Sequence, residues 1–348
     1  MATIAADGLD TARAGGRRGP SMADVGQVAG VSGQTVSRVV NGRSNVDEAT
    51  RMRVLAAMEE VGYRPNSAAR ALRSGQFRTI GVIMFTLSSF GNMRTLDAIA
   101  SAAGEAGYSI TLMPIQQATQ GAVTGAVDRL SAQAVDGIVL LLESHLLDEA
   151  DVVLPPGLPV VVLDSSAQHP YPIVDTDQAE GARLATEHLL GLGHATVWHI
   201  AGPAQSYSAE RRESSWRATL EAHGAWIPPV LEGDWSTRSG HEHGLALGAD
   251  AAVTAIFAAN DHMALGALRA LHELGRDVPG EVSVVGFDDM QESADFWPPL
   301  TTVSQDFGEV GSRAVQTLIT EIEGRDVPAR VAVPTRLVVR SSTAPVGA

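Results

Sequence analysis

A chain of 348 residues with 45% apolar content has room for two or three domains and enough apolar surface for a real core, which excludes a disordered protein. It has no cysteine, which excludes disulfides and thiolate metal sites, and no run of about 18 apolar residues that could cross a bilayer. The net charge of −15 is unevenly placed: residues 1–78 carry 11 Arg against 7 acidic residues (+4), and residues 79–348 carry 14 Arg against 33 (−19), so the pattern predicts that only the head touches phosphates.

Residues 1–20 are polar and rich in Gly and Ala, lack the apolar stretch of a secretory signal, and read as a disordered tail, with the cytoplasm as the default compartment. Ser21–Asn41 then reads as two short helices joined by a tight turn. The first carries Met22, Val25, Val28 and Ala29 at helical spacing, with Ser21 as N-cap. Gly26 is a flaw inside it, costing about 1 kcal/mol against Ala. Gly30-Val31-Ser32 makes the turn. The second helix buries Val36, Val39 and Val40 and turns Gln34, Thr35, Ser37 and Arg38 outward. Two such stripes need a third helix, and Asp47 caps one over about 48–61, with Val54, Leu55, Met58 and Val61 as its apolar face and Gly62 as its stop. Three helices over 21–65 make a helix-turn-helix headpiece, whose second helix enters the DNA major groove. Residues 66–77 read as a two-turn hinge helix and linker, too short to be stable alone.

From Thr79 the pattern becomes repeated βα. Apolar runs predict strands at 80–85, 110–113, 137–142, 160–163, 197–201, 255–258 and 282–287, separated by amphipathic helices. Near-continuous apolar strands predict parallel sheets covered on both faces, an α/β fold. Some 260 residues of it predict two lobes, about 78–176 with 307–333 and about 177–304 with 334–341, before a disordered tail at 342–348. Ligands of such sheets sit past the carboxyl ends of strands. Asp164, Asn260 and Asp288 stand there by pattern alone.

The chain resembles the lactose-repressor family of bacterial transcription regulators. The matching residues are D-V-G-Q-V-A-G-V-S-G-Q-T-V-S-R-V-V-N at 24–41 and V-L-A-A-M-E-E-V-G-Y-R-P-N-S-A-A-R-A-L at 54–72. Further on stand I-G-V at 80–82, E-H-L-L-G-L-G-H at 187–194, A-N-D-H-M-A-L-G at 259–266, V-S-V-V-G-F-D-D at 282–289 and P-P-L-T-T-V-S-Q-D-F at 298–307. The resemblance spans about Met22 to Arg340 and implies a two-lobed core like that of periplasmic binding proteins. It implies base reading by Gln34 and Arg38, with Gly33 standing where the family's namesake has a larger base-contacting residue. Ser32, Thr35, Ser37, Asn41 and Asn45 match phosphate-contacting positions. Ala69 and Leu72 match the hinge helix, where Leu wedges a base step in the minor groove. A sugar effector between the lobes is implied for Arg212, Asp164, Asn260 and Asp288, with Trp235 stacking on the sugar, Phe296 or Trp297 at the mouth, and Gln305 at the return crossing. Plainer roles stay open for each: Asp288 as a turn cap, Trp235 as core, Arg212 paired with Glu210 or Glu213 on the surface. Glu210 replaces an Arg of the namesake.

The reading is a homodimeric repressor of carbohydrate genes, bound to a near-palindromic operator and released by a small sugar. The short stretch SSTAPVGA after Arg340 holds no heptads, so a dimer rather than a tetramer is expected. A purine or other corepressor is the alternative within regulators. A sugar transport protein would instead need an export signal and no headpiece. His241-Glu242-His243 lacks metal geometry, because i and i+2 point apart on a helix. No nucleophile elbow, P-loop or dinucleotide motif is present, so no catalytic residue, metal or cofactor is expected.

Overall fold

Ser21 begins the first unit with a capping box: its hydroxyl accepts from the Asp24 amide, and the Asp24 carboxylate accepts from the Ser21 amide at 2.7 Å. α1 (Met22–Ala29) ends at Gly30, whose φ of 66° closes a left-handed cap. Ser32 caps α2 (Gly33–Val40) through the Thr35 amide, and Asp47 caps α3 (Glu48–Val61) through the Thr50 amide. Val25, Ala29, Val36, Val39, Val54 and Ala57 form the core, with Met22, Val31, Val61 and Tyr63 around it. Leu55, expected inside, is 46% exposed and Ala57 takes its place. Leu55 lies one residue, about 100° of helix, off the inward stripe. Val28 is equally exposed, at the edge of the α1 stripe.

Gly26 is not a flaw. A Cβ there would lie 2.7 Å from the Val31 carbonyl oxygen, and the Val31 amide donates to Gly26 O at 2.9 Å. The turn backbone rests on α1 itself, so only glycine fits.

The computed structural model describes residues 19–43, 45–64, 75–87, 89–115, 119–141, 157–165 and 170–347. The chain divides into two units after Gln76. The hinge positions Ala69 and Leu72, and nearly all of the expected tail 1–20, lie outside the described residues.

The second unit runs β1 (Thr79–Met84), α4 (Phe90–Glu105), β2 (Ser109–Pro114), α5 (Gln120–Ala132), β3 (Gly137–Leu141), β4 (Val160–Leu163), β5 (Ile173–Thr176), α6 (Gln178–Gly191), β6 (Trp198–Ala201), α7 (Tyr207–Ala222) and β7 (Leu231–Glu232). It continues with α8 (Thr237–Gly248), β8 (Ala255–Ala258), α9 (Asp261–Glu273), β9 (Ser283–Asp288), a 3-10 turn (Gln291–Ala294), β10 (Thr301–Ser304), α10 (Phe307–Ile322), β11 (Arg330–Val333) and β12 (Arg336–Val338). The first sheet has the order β11-β5-β4-β3-β1-β2 and is parallel throughout. The second has the order β12-β10-β9-β8-β6-β7 and is parallel except where β12 pairs antiparallel to β10. Each sheet carries a buried apolar cluster on both faces, as parallel sheets require. β5, β7, β10, β11 and β12 escape the apolar-run criterion because they are short and hold polar residues such as Asp175, Thr301, Thr302, Arg330 and Arg336.

The chain passes between the sheets three times: from β5 to α6, from β10 to α10, and from β11 to β12. The crossings are tied together. The Asp177 amide donates to Val333 O at 2.8 Å, Thr335 Oγ1 donates to Asp177 O at 3.2 Å, and Gln178 Nε2 donates to Gln305 Oε1 at 3.3 Å.

Of residues 342–348, expected to be a disordered tail, Ser342, Thr343 and Ala344 are bonded to the second sheet, and the Val346 amide donates to Leu192 O at 3.1 Å. Ser342 is fully buried; its Oγ accepts from the Thr301 amide and donates to Val284 O, and its own carbonyl accepts from the Val284 amide at 2.8 Å. Among the described residues, no helix is long and apolar enough to cross a membrane.

Gly26→Ala should loosen the headpiece by about 1–3 kcal/mol through overpacking against the turn. Hydrogen exchange of the α1 and α2 amides in the full chain should accelerate roughly tenfold or more; unchanged exchange would contradict the close approach.

Candidate functional site

In the headpiece, Ser32 and Thr35 are occupied with capping: their hydroxyls lie 3.0 Å apart and Ser32 Oγ receives the Thr35 amide. The exposed N-terminal end of α2 carries the positive end of the helix dipole, which favours a phosphate. Asn41 caps the other end, its Nδ2 donating to Ser37 O and, at 3.2 Å, to Ser37 Oγ. Gly33, Gln34 and Arg38 share the exposed face of α2, and Arg38 enters no ion pair among the described residues. Asn45 is exposed in the loop before α3.

In the second unit, a cavity of about 340 Å³ opens at the carboxyl ends of both sheets. The first sheet contributes Asp164 after β4 and Asp175 in β5; the second contributes Trp235, Asn260 and Asp288; the crossings contribute Gln178 and Gln305. First turns of α4, α6, α7, α8, α9 and α10 also face it, so helix dipoles point positive ends toward the carboxylates. Asp164, Trp235 and Asp288 have φ of 55°, 69° and 110°. Each non-glycine residue at such a φ costs about 1–3 kcal/mol, and the three gather at one cavity. Gly202 makes room for Trp235, since a Cβ there would lie 2.3 Å from the indole ring.

Arg212 is the organising cation. It is buried on α7, donates through Nε to Gln178 Oε1 at 2.8 Å, through Nη1 to Ala259 O, and stands 3.9 Å from Asp288 Oδ1. Its guanidinium lies 3.8 Å from the centre of the Phe287 ring and 5.5 Å from that of Trp235. Gln305 closes the circuit by donating from Nε2 to Asp288 Oδ1 at 2.6 Å. Beneath it, His199 is stacked between Trp216 and Phe257, and burial pushes its imidazole down to about 4, so it is neutral.

Two more links join the first-sheet layer to the second. The Phe90 ring of α4 meets His262 of α9 edge-on at 6.4 Å. Asp175 pairs with Arg330 at 2.9 Å, and Arg330 reaches Tyr207 Oη on α7 at 3.3 Å. Burial pushes the Asp175 carboxyl up, with Arg330 pulling it back.

Asp261, the residue after Asn260, is fully buried and is not among the residues that line this cavity. Its carboxylate accepts from the Met290 amide at 2.9 Å, Ser293 Oγ at 2.6 Å and Thr302 Oγ1 at 2.5 Å. It therefore holds together the starts or ends of the segments that carry Asn260, Asp288 and Gln305.

Residues 21–66 match the family described as bacterial regulatory proteins, lacI family, and residues 186–343 match the periplasmic binding protein-like domain. The lactose operon repressor of Escherichia coli (strain K12) is 38% identical over 330 residues, covering 93% of this chain and 90% of that protein. The chain belongs to the lacI family of bacterial regulatory proteins. Another relative in this family is the HTH-type transcriptional repressor PurR of Haemophilus influenzae (strain PittEE), 31% identical over 92% of this chain and 98% of its own length. Among solved structures, the lac repressor dimer bound to operator and the anti-inducer ONPF superposes with a TM-score of 0.86 at 37% identity, covering 94% of this chain and all of that one.

Of the effector positions expected from this family, Asp164, Arg212, Trp235, Asn260, Asp288 and Gln305 line one cavity. Phe296 and Trp297 do not. The Leu300 amide donates to Ser293 O at 2.8 Å and closes the loop between them, turning Phe296 into the second sheet's apolar cluster and leaving Trp297 92% exposed. Arg212 is buried and bonds inward to Gln178, Ala259 and Asp288 rather than lying on the surface, and Glu213 pairs with Arg217. His241 and His243 point to separate partners, Glu273 and the Glu232 carbonyl. Asn92, Thr95, Asp175, Gln178, Ser208 and His262 line the cavity without having been expected there. Most sit in the first turn of a helix that follows a strand, which is a readable signal; Asp175 lay hidden in a strand too polar to recognise.

Burial raises Asp261 to about 6, against its three donors. A native value above that of an unfolded aspartate means proton uptake on folding, so this group's contribution is fully present below about pH 4 and is lost as pH rises through about 6. Asp261→Asn should lower stability at pH 8 by about 1–3 kcal/mol. The difference from the parent chain, read by denaturant unfolding, should widen below pH 6, where the parent takes up its proton on folding and the Asn variant gains nothing; a pH-independent difference would count against the raised Asp261 carboxyl.

Proposed function

We propose that this chain is a dimeric transcriptional repressor that binds a near-palindromic operator through its headpieces and releases it when a small sugar enters the cavity of the second unit. The observation that carries this is the circuit Arg212–Gln178–Gln305–Asp288. It lines a ligand-sized cavity and at the same time joins two of the three crossings between the sheets.

The chemistry suits a polyol. Carboxylates accept from hydroxyl groups, a guanidinium presents fixed donors to their oxygens, and an indole covers an apolar sugar face. Asp164, Asp288, Arg212 and Trp235 supply these groups at one place. Hydroxyls inserted among them compete for the Gln178–Gln305 and Gln305–Asp288 bonds. The crossings are then held differently, and the two layers take a new relative setting. Through such a two-state element the effector changes operator affinity, and the operator changes effector affinity by the same factor. The lactose operon repressor and the operator-bound dimer among its similar structures support the operator, the dimer and the sugar class. The sign of the response separates this from corepression: a released operator marks an inducer, a retained one a corepressor.

On the DNA side, Arg38 forks onto a base edge, with Gln34 beside it, while the first turn of α2 and the hydroxyls around it meet phosphates. Arg38→Ala should cost about 1–3 kcal/mol of discrimination between operator and a base-substituted operator. Gel-shift titration of both duplexes reads it, and undiminished preference would refute the groove assignment. Arg212→Met should bind operator yet fail to release it at sugar concentrations that clear the parent protein from the same gel. Release by the variant would remove Arg212 from the effector site.

A further inference from the structure

Arg43 stands just past the end of α2, and its backbone is fixed from two sides. α2 ends in a Schellman closure: the Gly42 amide donates to Val39 O at 3.0 Å and the Arg43 amide to Arg38 O at 3.0 Å, with Gly42 at a φ of 65°. From α3, Arg51 donates through Nη2 to Arg43 O at 3.0 Å. Both the amide and the carbonyl of Arg43 are therefore held, while its side chain is exposed. The two residues that such a closure joins frequently meet in an apolar contact. Here both are arginines.

Nothing in the fold compensates this pair of charges. Residues 33–46 hold Arg38 and Arg43 and no acidic residue. The first carboxylates after them are engaged: Asp47 accepts from the Thr50 amide at 2.9 Å, and Glu48 lies 3.7 Å from Arg51. Arg43 enters no ion pair among the described residues. Like charges close together on a helix end destabilise it. A polyanion laid across that end turns the repulsion into attraction.

Position decides which part of a duplex Arg43 meets. A recognition helix reads base edges with its N-terminal residues. Gln34 and Arg38 lie within α2, whereas Arg43 lies beyond its C-terminal end. At the opposite end Gly33 offers no side chain, although a Cβ there would meet only the Met22 carbonyl oxygen, at 4.0 Å. We infer that Arg43 binds a backbone phosphate of operator DNA, with Arg51 as the residue that positions it. This rests on the operator reading above. Such a contact carries no sequence information, so it moves the balance of recognition from base edges, silent at Gly33, toward the phosphates.

The test is the salt dependence of DNA binding by the full-length protein, read by fluorescence anisotropy. Two duplexes serve as probes: one selected by the parent protein from a random-sequence pool, and one of the same length with that sequence scrambled. In Arg43→Ala the slope of log K against log salt should become shallower by about 0.9 per bound headpiece, about 1.8 for a dimer, on both duplexes. The ratio of the two affinities and the thermal unfolding midpoint should stay at the parent's values. Arg43→Lys, which keeps a point charge for a phosphate but loses the fork that reads a base, should keep the parent's slope and ratio. Arg51→Met added to Arg43→Ala should lower the slope no further. An unchanged slope in Arg43→Ala, or a loss confined to the selected duplex, would overturn the inference and leave the operator reading standing, because the parent still prefers one duplex. A further fall in the double variant would make Arg51 a phosphate contact itself and overturn its positioning role. A parent protein that enriches no duplex from the pool would overturn both readings.

Discussion

A guanidinium buried in the second unit must be compensated or the fold would expel it, since the penalty for removing a charge from water is several kcal/mol even after relaxation. Arg212 is compensated by four kinds of neighbour at once: an amide oxygen from Gln178, the Ala259 carbonyl, the Asp288 carboxylate and the face of Phe287. These neighbours come from α6, the end of β8, and β9, with Gln305 reached through two of them. One side chain thereby constrains where the crossings lie and how the second sheet presents its carboxyl edge. Satisfying the charge and shaping the cavity are the same set of contacts.

That constraint explains the strain around it. Asp164, Trp235 and Asp288 adopt left-handed backbone at the ends of strands because the chain must turn there while keeping each side chain aimed at the cavity. The fully buried Asp261 supports this arrangement from behind, its three donors anchoring the β9 loop and β10. Helix first turns surround the site, and their dipoles offset the three carboxylates that line it. The cavity is therefore polar without being strongly charged, an environment that suits hydroxyl groups.

The headpiece solves a different problem. Six buried residues hold three helices together, so little apolar burial is available and local devices matter more. A capping box, Ser and Asp N-caps, two left-handed glycine caps and the close contact at Gly26 supply what the small core does not. Those caps also leave Gln34 and Arg38 exposed on a rigid helix, as base reading requires.

Much of this was legible in the residues themselves. Helical spacing in α1 and α2, the caps at Ser21, Ser32 and Asp47, and the apolar runs of β1, β3, β4, β8 and β9 follow from local chemistry, and local chemistry is written in neighbouring residues. The ends of the apolar runs point to Asp164, Asn260 and Asp288 by pattern alone. Other features depend on partners distant in sequence. β5, β10, β11 and β12 are strands only because neighbouring strands accept them, and Ser342 is ordered only because Thr301 and Val284 wait for it. Gly26 looked costly until the turn was seen resting on it. Phe296 and Trp297 left the cavity because a loop closed at Ser293 and Leu300. The sequence alone thus determined the elements, the family and the residues at strand ends. Tertiary structure decided which of them share a cavity and which polar groups there bond to one another, because burial and hydrogen-bond satisfaction belong to the packed chain rather than to any one segment.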